Sequence, residues 1–235
     1  MPTPGAAELL DLWDRAALRH PIDRAVLFAA GCLTELPPDR IADLPLGAIN
    51  QALLHLRDNW FGRVIEAYLD CPECGERLEL TLDTDSLLTS LPGQGELDLE
   101  LAGFRFRPPT SRDLAAVAEE TDVECAAIGL LQRCCIERPV TANRELAELL
   151  PEVETRLEAL DPAAEISLSL SCVACGHAWA APCDLGSLLW DDIETRARTL
   201  ISEIDALARV YGWTEGEILA LSPQRRAAYL ATVQA

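Results

Sequence analysis

The chain has 235 residues, 49% of them apolar, which is enough for one large core or two small ones and too apolar for a disordered segment. It carries 39 acidic residues against 19 cations, every cation an arginine, for a net charge of −20. Such a surface repels nucleic-acid phosphates and anionic membranes, and it favours basic partners.

Residues 6–70 read as helical. Ala7–Arg19 and Ile22–Ala30 are amphipathic, Pro37-Pro38 and Pro45 punctuate the chain, and Leu46–Leu69 places Leu53, Leu56, Phe61, Val64, Ile65 and Tyr68 near helical spacing. Gly62 marks a break or kink beside Phe61. At Cys71 the period changes to two. Leu78, Leu80 and Leu82 alternate with polar residues, as do Leu97, Leu99 and Leu101; Ala102-Gly103 then turns the chain into Phe104 and Phe106, a predicted hairpin.

Thr110-Ser111-Arg112-Asp113 has the form of a capping box, and helical segments are expected over 111–160 with breaks at Thr121-Asp122 and Pro139–Asn143. Two further strands follow, around Ile166–Leu170 and Trp179–Cys183. From Leu185 to Tyr211 one apolar stripe predicts a long helix closed by Gly212. Thr214 and Glu217 form a second capping box, and Pro223 opens a final helix. The amino terminus has no basic start or apolar h-region, and no apolar run reaches bilayer length, so a soluble, cytoplasmic protein is expected.

The chemistry is concentrated in Cys71-Pro72-Glu73-Cys74-Gly75 and Cys172-Val173-Ala174-Cys175-Gly176. A C-x-x-C turn aims two sulfurs at one centre, and the following glycine admits the positive φ that directs backbone N–H groups at them. Two such turns predict a closed shell of four thiolates for one structural zinc ion per chain, held by Cys71, Cys74, Cys172 and Cys175. A shift of 101 positions lays Cys71–Leu88 on Cys172–Leu189 with seven of eighteen positions identical: both cysteines, the glycine, Asp83/Asp184, Ser86/Ser187, Leu87/Leu188 and Leu88/Leu189. An internal repeat of knuckle, strand and helix start is inferred.

In that alignment His177 falls on Glu76 and Cys183 on Leu82, so neither is expected as a ligand. Cys32, Cys125, Cys134 and Cys135 read as small hydrophobes on helical stretches. A closed thiolate shell leaves no position for a reacting water, and no phosphate loop, nucleophile elbow or H-E-x-x-H occurs, so no enzymatic activity is expected.

The expected fold is α+β and mainly helical. It comprises an N-terminal helical region (1–70), a four-cysteine, zinc-ribbon-like antiparallel element (71–109 with 162–184), a helical insertion (110–161) and a C-terminal helical region (185–235).

Four places carry a resemblance to a family: Phe61-Gly62 followed by Cys71–Leu78; Pro109–Leu114; Cys172–Trp190; and Tyr211-Gly212-Trp213 through Ile218-Leu219 and Arg225-Arg226 to Tyr229-Leu230. In these the chain resembles baseplate proteins of contractile phages and phage-tail-like injection systems, and more narrowly the T-even-phage-type baseplate hub assembly chaperones with their bacterial relatives. The resemblance implies a non-enzymatic assembly factor, or a minor baseplate component, whose partners are hub or spike proteins. Read from the residues, Trp213, Ile218, Leu219, Arg225, Arg226 and Tyr229 are candidates for a partner-binding surface, because two short helices offer little chain to cover them; the alternative is that they pack back on the helix 185–211. A nucleic-acid-binding zinc ribbon ranks second, since the strands carry Glu79, Asp83, Glu96, Asp98 and Glu100 against Arg77, Arg105 and Arg107. A thiol redox protein ranks third.

Overall fold

The computed structural model describes residues 3–90, 98–139 and 144–233. It is α+β, with more than half of the chain helical and, among the described residues, three small antiparallel sheets. Two compact units divide it, one formed by His20–Gly186 and the other by residues 3–19 with 187–233.

The second unit contains α1 (Ala6–Ala17), most of α9 (Leu185–Tyr211), α10 (Glu215–Leu219) and α11 (Pro223–Val233). Leu189, Ile193, Ala197, Leu200 and Leu207 form the buried stripe of α9 at the expected helical spacing. Gly212, at φ +68°, ends that helix, where a side chain would be strained. Thr214 caps α10 by accepting the Glu217 N–H, while the Glu217 carboxylate accepts from the Thr214 N–H at 2.8 Å.

In the first unit α2 (Pro21–Cys32) packs against α3 (Pro38–Ile41), α4 (Leu46–Phe61) and α6 (Ser111–Val117), burying Phe28, Ile41, Ile49, Leu53 and Leu56. A second cluster joins β3 (Leu99–Leu101), β4 (Phe104–Phe106), α7 (Val123–Cys134), the 3-10 turn Leu146–Leu149 and α8 (Leu150–Leu160) around Leu99, Phe104, Phe106, Leu131, Leu149 and Val153. The β3–β4 turn has positive φ at both Ala102 and Gly103, as a two-residue hairpin turn requires. Leu97, expected in β3, lies outside the described residues, as do 140–143 of the expected break.

Thr110 and Asp113 form the predicted capping box at α6. Asp113 also anchors Arg107 (2.6 Å) and Arg133 (3.0 Å). Burial opposes its charge, but Arg107 and the hydroxyl and N–H of Thr110 bring its carboxyl down to about 2.

Two stretches expected to be helical are strands. Gly62, at φ +87°, stops α4, and β1 (Val64–Asp70) turns Ile65, Ala67 and Leu69 to one face. Val64, Ile65 and Tyr68 sit near helical spacing by coincidence, and the alternation decides the structure once Gly62 ends the helix. Within the region 110–161, Cys135–Glu137 forms β5 on the free edge of β4, where Glu137 pairs with Arg105 at 3.0 Å. Cys125 is solvent-exposed at the start of α7 and Cys135 opens β5, so neither is a buried helical hydrophobe; Cys134 is buried and Cys32 half-buried.

β1 pairs with β2 (Arg77–Asp83), and β6 (Ser167–Ser171) pairs with β7 (Ala178–Pro182). The two hairpins are separate two-stranded sheets, and the first is followed by the short α5 (Thr84–Ser90).

Candidate metal centre

Each knuckle is the tip of a hairpin. In the first, the Cys71 N–H donates to the Glu76 carbonyl (2.8 Å) and the Gly75 N–H to the Cys71 carbonyl (2.9 Å). In the second, the Cys172 N–H donates to the His177 carbonyl (2.8 Å) and the Gly176 N–H to the Cys172 carbonyl (2.9 Å). Gly75 and Gly176 have φ of +72° and +74°, a backbone conformation that L side chains rarely adopt. The strands behind the tips share one register, with Asp70 opposite Arg77 and Ser171 opposite Ala178, and Glu66 opposite Thr81 and Ser167 opposite Pro182. These pairs are related by the same shift of 101 that aligns the knuckles.

The duplication therefore starts before Cys71, and the sequence carried a signal for it. Ile65/Ile166 and Leu69/Leu170 are identical at that shift, and they place strands N-terminal to both knuckles.

Both hairpins are seated by α4. Asp58 of α4 accepts from the Thr84 hydroxyl (3.2 Å), at the end of the first hairpin. The N-terminus of α4 binds the segment that leads into the second. Gly47 N–H donates to Asp161 Oδ2 (3.0 Å), and Asn50 Nδ2 donates to the carbonyls of Ala163 (2.8 Å) and Ala164 (3.1 Å). Pro45 at the N-cap of α4 makes no side-chain cap, so Asp161 satisfies an orphan helix donor from 114 residues away. A Cβ on Gly47 would lie 1.8 Å from Asp161 Oδ1, so only glycine fits there. Burial pushes the Asp161 carboxyl up, against the opposing N–H of Gly47.

The hairpin tips bring Cys71, Cys74, Cys172 and Cys175 together, with all four sulfurs within 4.8 Å of one another. Sγ of Cys71 lies 3.8 Å from that of Cys175, and Sγ of Cys74 lies 3.6 Å from that of Cys172. Neither distance is a disulfide bond, which measures ~2.05 Å. A tetrahedron with metal–sulfur bonds of ~2.3 Å has edges of about 3.8 Å, so the donor set fits a four-coordinate thiolate metal site. The leading cysteine of each knuckle is buried and the trailing one exposed.

The four thiols bear on one another's charge. The backbone N–H of Cys175 draws the Cys172 thiol down to about 7. At Cys74 the N–H of Glu76 also lowers the thiol, but the neighbouring sulfurs of Cys175, Cys172 and Cys71, with burial, push it up to about 12. One thiolate forms readily, and the next is suppressed by those around it unless positive charge sits between them.

Neither His177, whose ring stacks on Trp179 at 5.8 Å, nor Cys183, half-buried just beyond β7, belongs to the cluster.

The candidate partner residues separate. Ile218 is fully buried, and Arg226 is 2% exposed with its guanidinium on Glu203 at 2.7 Å, so both belong to the interior of their unit and not to a rim. Arg225 is exposed and Leu219 half-buried. Trp213 and Tyr229 are both half-buried, and both rings lie against Tyr211 in one aromatic group, with centroids 4.6 Å (Tyr211–Trp213) and 4.9 Å (Trp213–Tyr229) apart. Among the described residues no helix is long and apolar enough to cross a membrane.

Comparison with protein-family models, with curated proteins and with solved structures finds no significant match in any of the three.

Proposed function

We propose that Cys71, Cys74, Cys172 and Cys175 hold one structural zinc ion, and that the protein is a non-enzymatic assembly factor working through protein contacts. The observation that carries the zinc reading is the meeting of two knuckles of identical register, with sulfur–sulfur distances matching the edges of a thiolate tetrahedron. Four protein ligands close the shell, so the ion would supply folding energy and fix the two hairpins together, with no open position for substrate. A tetrahedral all-sulfur set also suits iron, and zinc is preferred because nothing in the reading requires a redox centre.

The assembly context rests on the four-place sequence resemblance to contractile-tail baseplate proteins, and it makes hub or spike proteins the expected partners. The net charge of −20 supports protein partners over nucleic acid.

The test of the metal is elemental analysis and visible absorption of protein purified without chelator. About one zinc per chain and a colourless solution are expected. A red, iron-containing protein, or zinc far below one equivalent, defeats the zinc reading. Zinc retained in a Cys71→Ser, Cys172→Ser double variant defeats the ligand assignment. The context is tested by co-expression with baseplate hub and spike proteins from the same source as this chain; absence of any co-purifying complex defeats it.

A further inference from the structure

An open cavity of about 290 Å³ in the first unit lies among α6, α7, α8 and the 161–165 segment. Its floor is buried and apolar, formed by Leu131, Cys134 and Val153. Its walls are the half-buried Leu114, Leu130 and Leu157, which present apolar surface that the fold leaves in contact with water.

The charge around it has one sign. Glu154 and Glu158, one turn apart on α8, and Glu165 are all lining residues, and all three are acidic. None of the three makes a hydrogen bond or ion pair among the described residues, although Glu152 on the same helix is paired with both Arg144 and Arg156. Asp161, only 8% exposed and held by the Gly47 N–H, is a fourth acidic residue of the lining. No arginine or histidine lines the cavity among the described residues.

We infer that this groove docks an amphipathic helix of a partner protein, with leucine-type side chains in the cavity and arginine or lysine residues on the Glu154–Glu158–Glu165 rim. The volume sits at the lower end of the range for small-molecule sites, roughly 300–1,000 Å³, and suits a few apolar anchor side chains. Anchors three or four residues apart fall on one helix face, the spacing of recognition by a helix in a groove. Basic residues flanking those anchors would meet unneutralised carboxylates spaced at one helical turn, which supplies specificity as well as attraction.

The inference deepens the reading of a protein-binding assembly factor, and it uses none of the four metal ligands. The probe is a fluorescein-labelled synthetic helix of the repeat Leu-Arg-Ala-Leu-Leu-Arg-Ala, titrated with the full-length protein at about 0.15 M salt and read by anisotropy. Saturable binding with Kd on the order of 10 μM is expected. A peptide with glutamate in place of arginine should not bind. The rim variant Glu154→Gln, Glu158→Gln, Glu165→Gln should weaken binding about tenfold or more. The control Glu66→Gln, Glu79→Gln, Glu100→Gln, which removes the same charge elsewhere, should leave it within about twofold.

Lack of saturable binding up to about 1 mM overturns the proposal. So does equal loss in the two variants, which would reduce the effect to net charge, or binding untouched by the first variant. Concentration-dependent self-association lost in the first variant would make a second copy the occupant and overturn it as well. Zinc content measured on every sample keeps failure of the groove distinct from failure of the metal site.

Discussion

The two hairpins have the same backbone and different exposed side chains. The first, β1–β2, is charged and carries Glu66, Arg77, Glu79 and Asp83 outside its inward-facing row. The second, β6–β7, exposes Ser167, Ser169, Ser171, Ala178 and Ala180. Their registers nevertheless coincide, and so do both knuckle hydrogen bonds. The exposed side chains therefore do not set the register; the Cys-x-x-Cys-Gly tip fixes the pairing from which each ladder is counted, and the shared inward-facing apolar row, with Ile65/Ile166 and Leu69/Leu170, agrees with it.

Neither hairpin buries much. Ile65 in one and Ala181 in the other are the fully buried aliphatic strand residues. An isolated two-stranded sheet is marginal in water, so the metal ion proposed between the tips would be the natural source of their stability.

The largest effect should follow from breaking that centre. Chelation, or Cys74→Ser, should abolish amide-exchange protection in 64–83 and 166–183 together, while α2 and α4 stay protected. Metal binding at such sites is worth roughly 10 kcal/mol or more of folding free energy, so the loss should be complete within both hairpins. Loss confined to one hairpin would show that the two are stabilised separately.

Next is Gly47→Ala, which forces a methyl group into the Asp161 carboxylate that caps α4. A loss of about 2–3 kcal/mol in chemical denaturation is expected. Exchange should accelerate in the second hairpin more than in the first, because it is the second that hangs from the 161–164 segment.

Asp113→Asn lies outside the duplicated parts and should affect both hairpins equally little. Its carboxyl is lowered to about 2 from an ordinary 3.8, so its contribution is present above pH 3.8 and lost as pH falls toward 2. After discounting for screening of the partly exposed Arg107 and Arg133, the variant should be about 1–2 kcal/mol less stable at pH 7. The difference from the parent should close between about pH 4 and pH 2, as measured by urea melts across that range.

The smallest and sharpest test is the pair Gly75→Ala and Gly176→Ala. No atom lies within 4 Å of either added Cβ, so the cost is purely that of positive φ, about 1 kcal/mol. The two values, from thermal melts of the metal-loaded protein, should agree within error. Unequal costs would break the equivalence of the tips.

Local chemistry was legible in the sequence where residues act on near neighbours. The knuckles, both threonine capping boxes, the Ala102-Gly103 turn and the stripe of α9 depend on spacings of a few residues, and spacing is what a sequence records. The four candidate ligands could be paired across about a hundred residues because the tip is repeated, and the repeat supplied long-range information that a single C-x-x-C lacks. β1 was missed because Val64, Ile65 and Tyr68 satisfy a helical period as well as a strand period, and only the positive φ of Gly62 separates them.

Tertiary structure decided the rest, because the deciding partner lies far along the chain. β5 exists through the free edge of β4, and the cap of α4 comes from Asp161. Arg226 and Ile218, which look like surface anchors on short helices, are interior because Glu203 of α9 takes the charge and the unit encloses the isoleucine. A residue's own identity states which interactions it can make, whereas its burial depends on what folds over it.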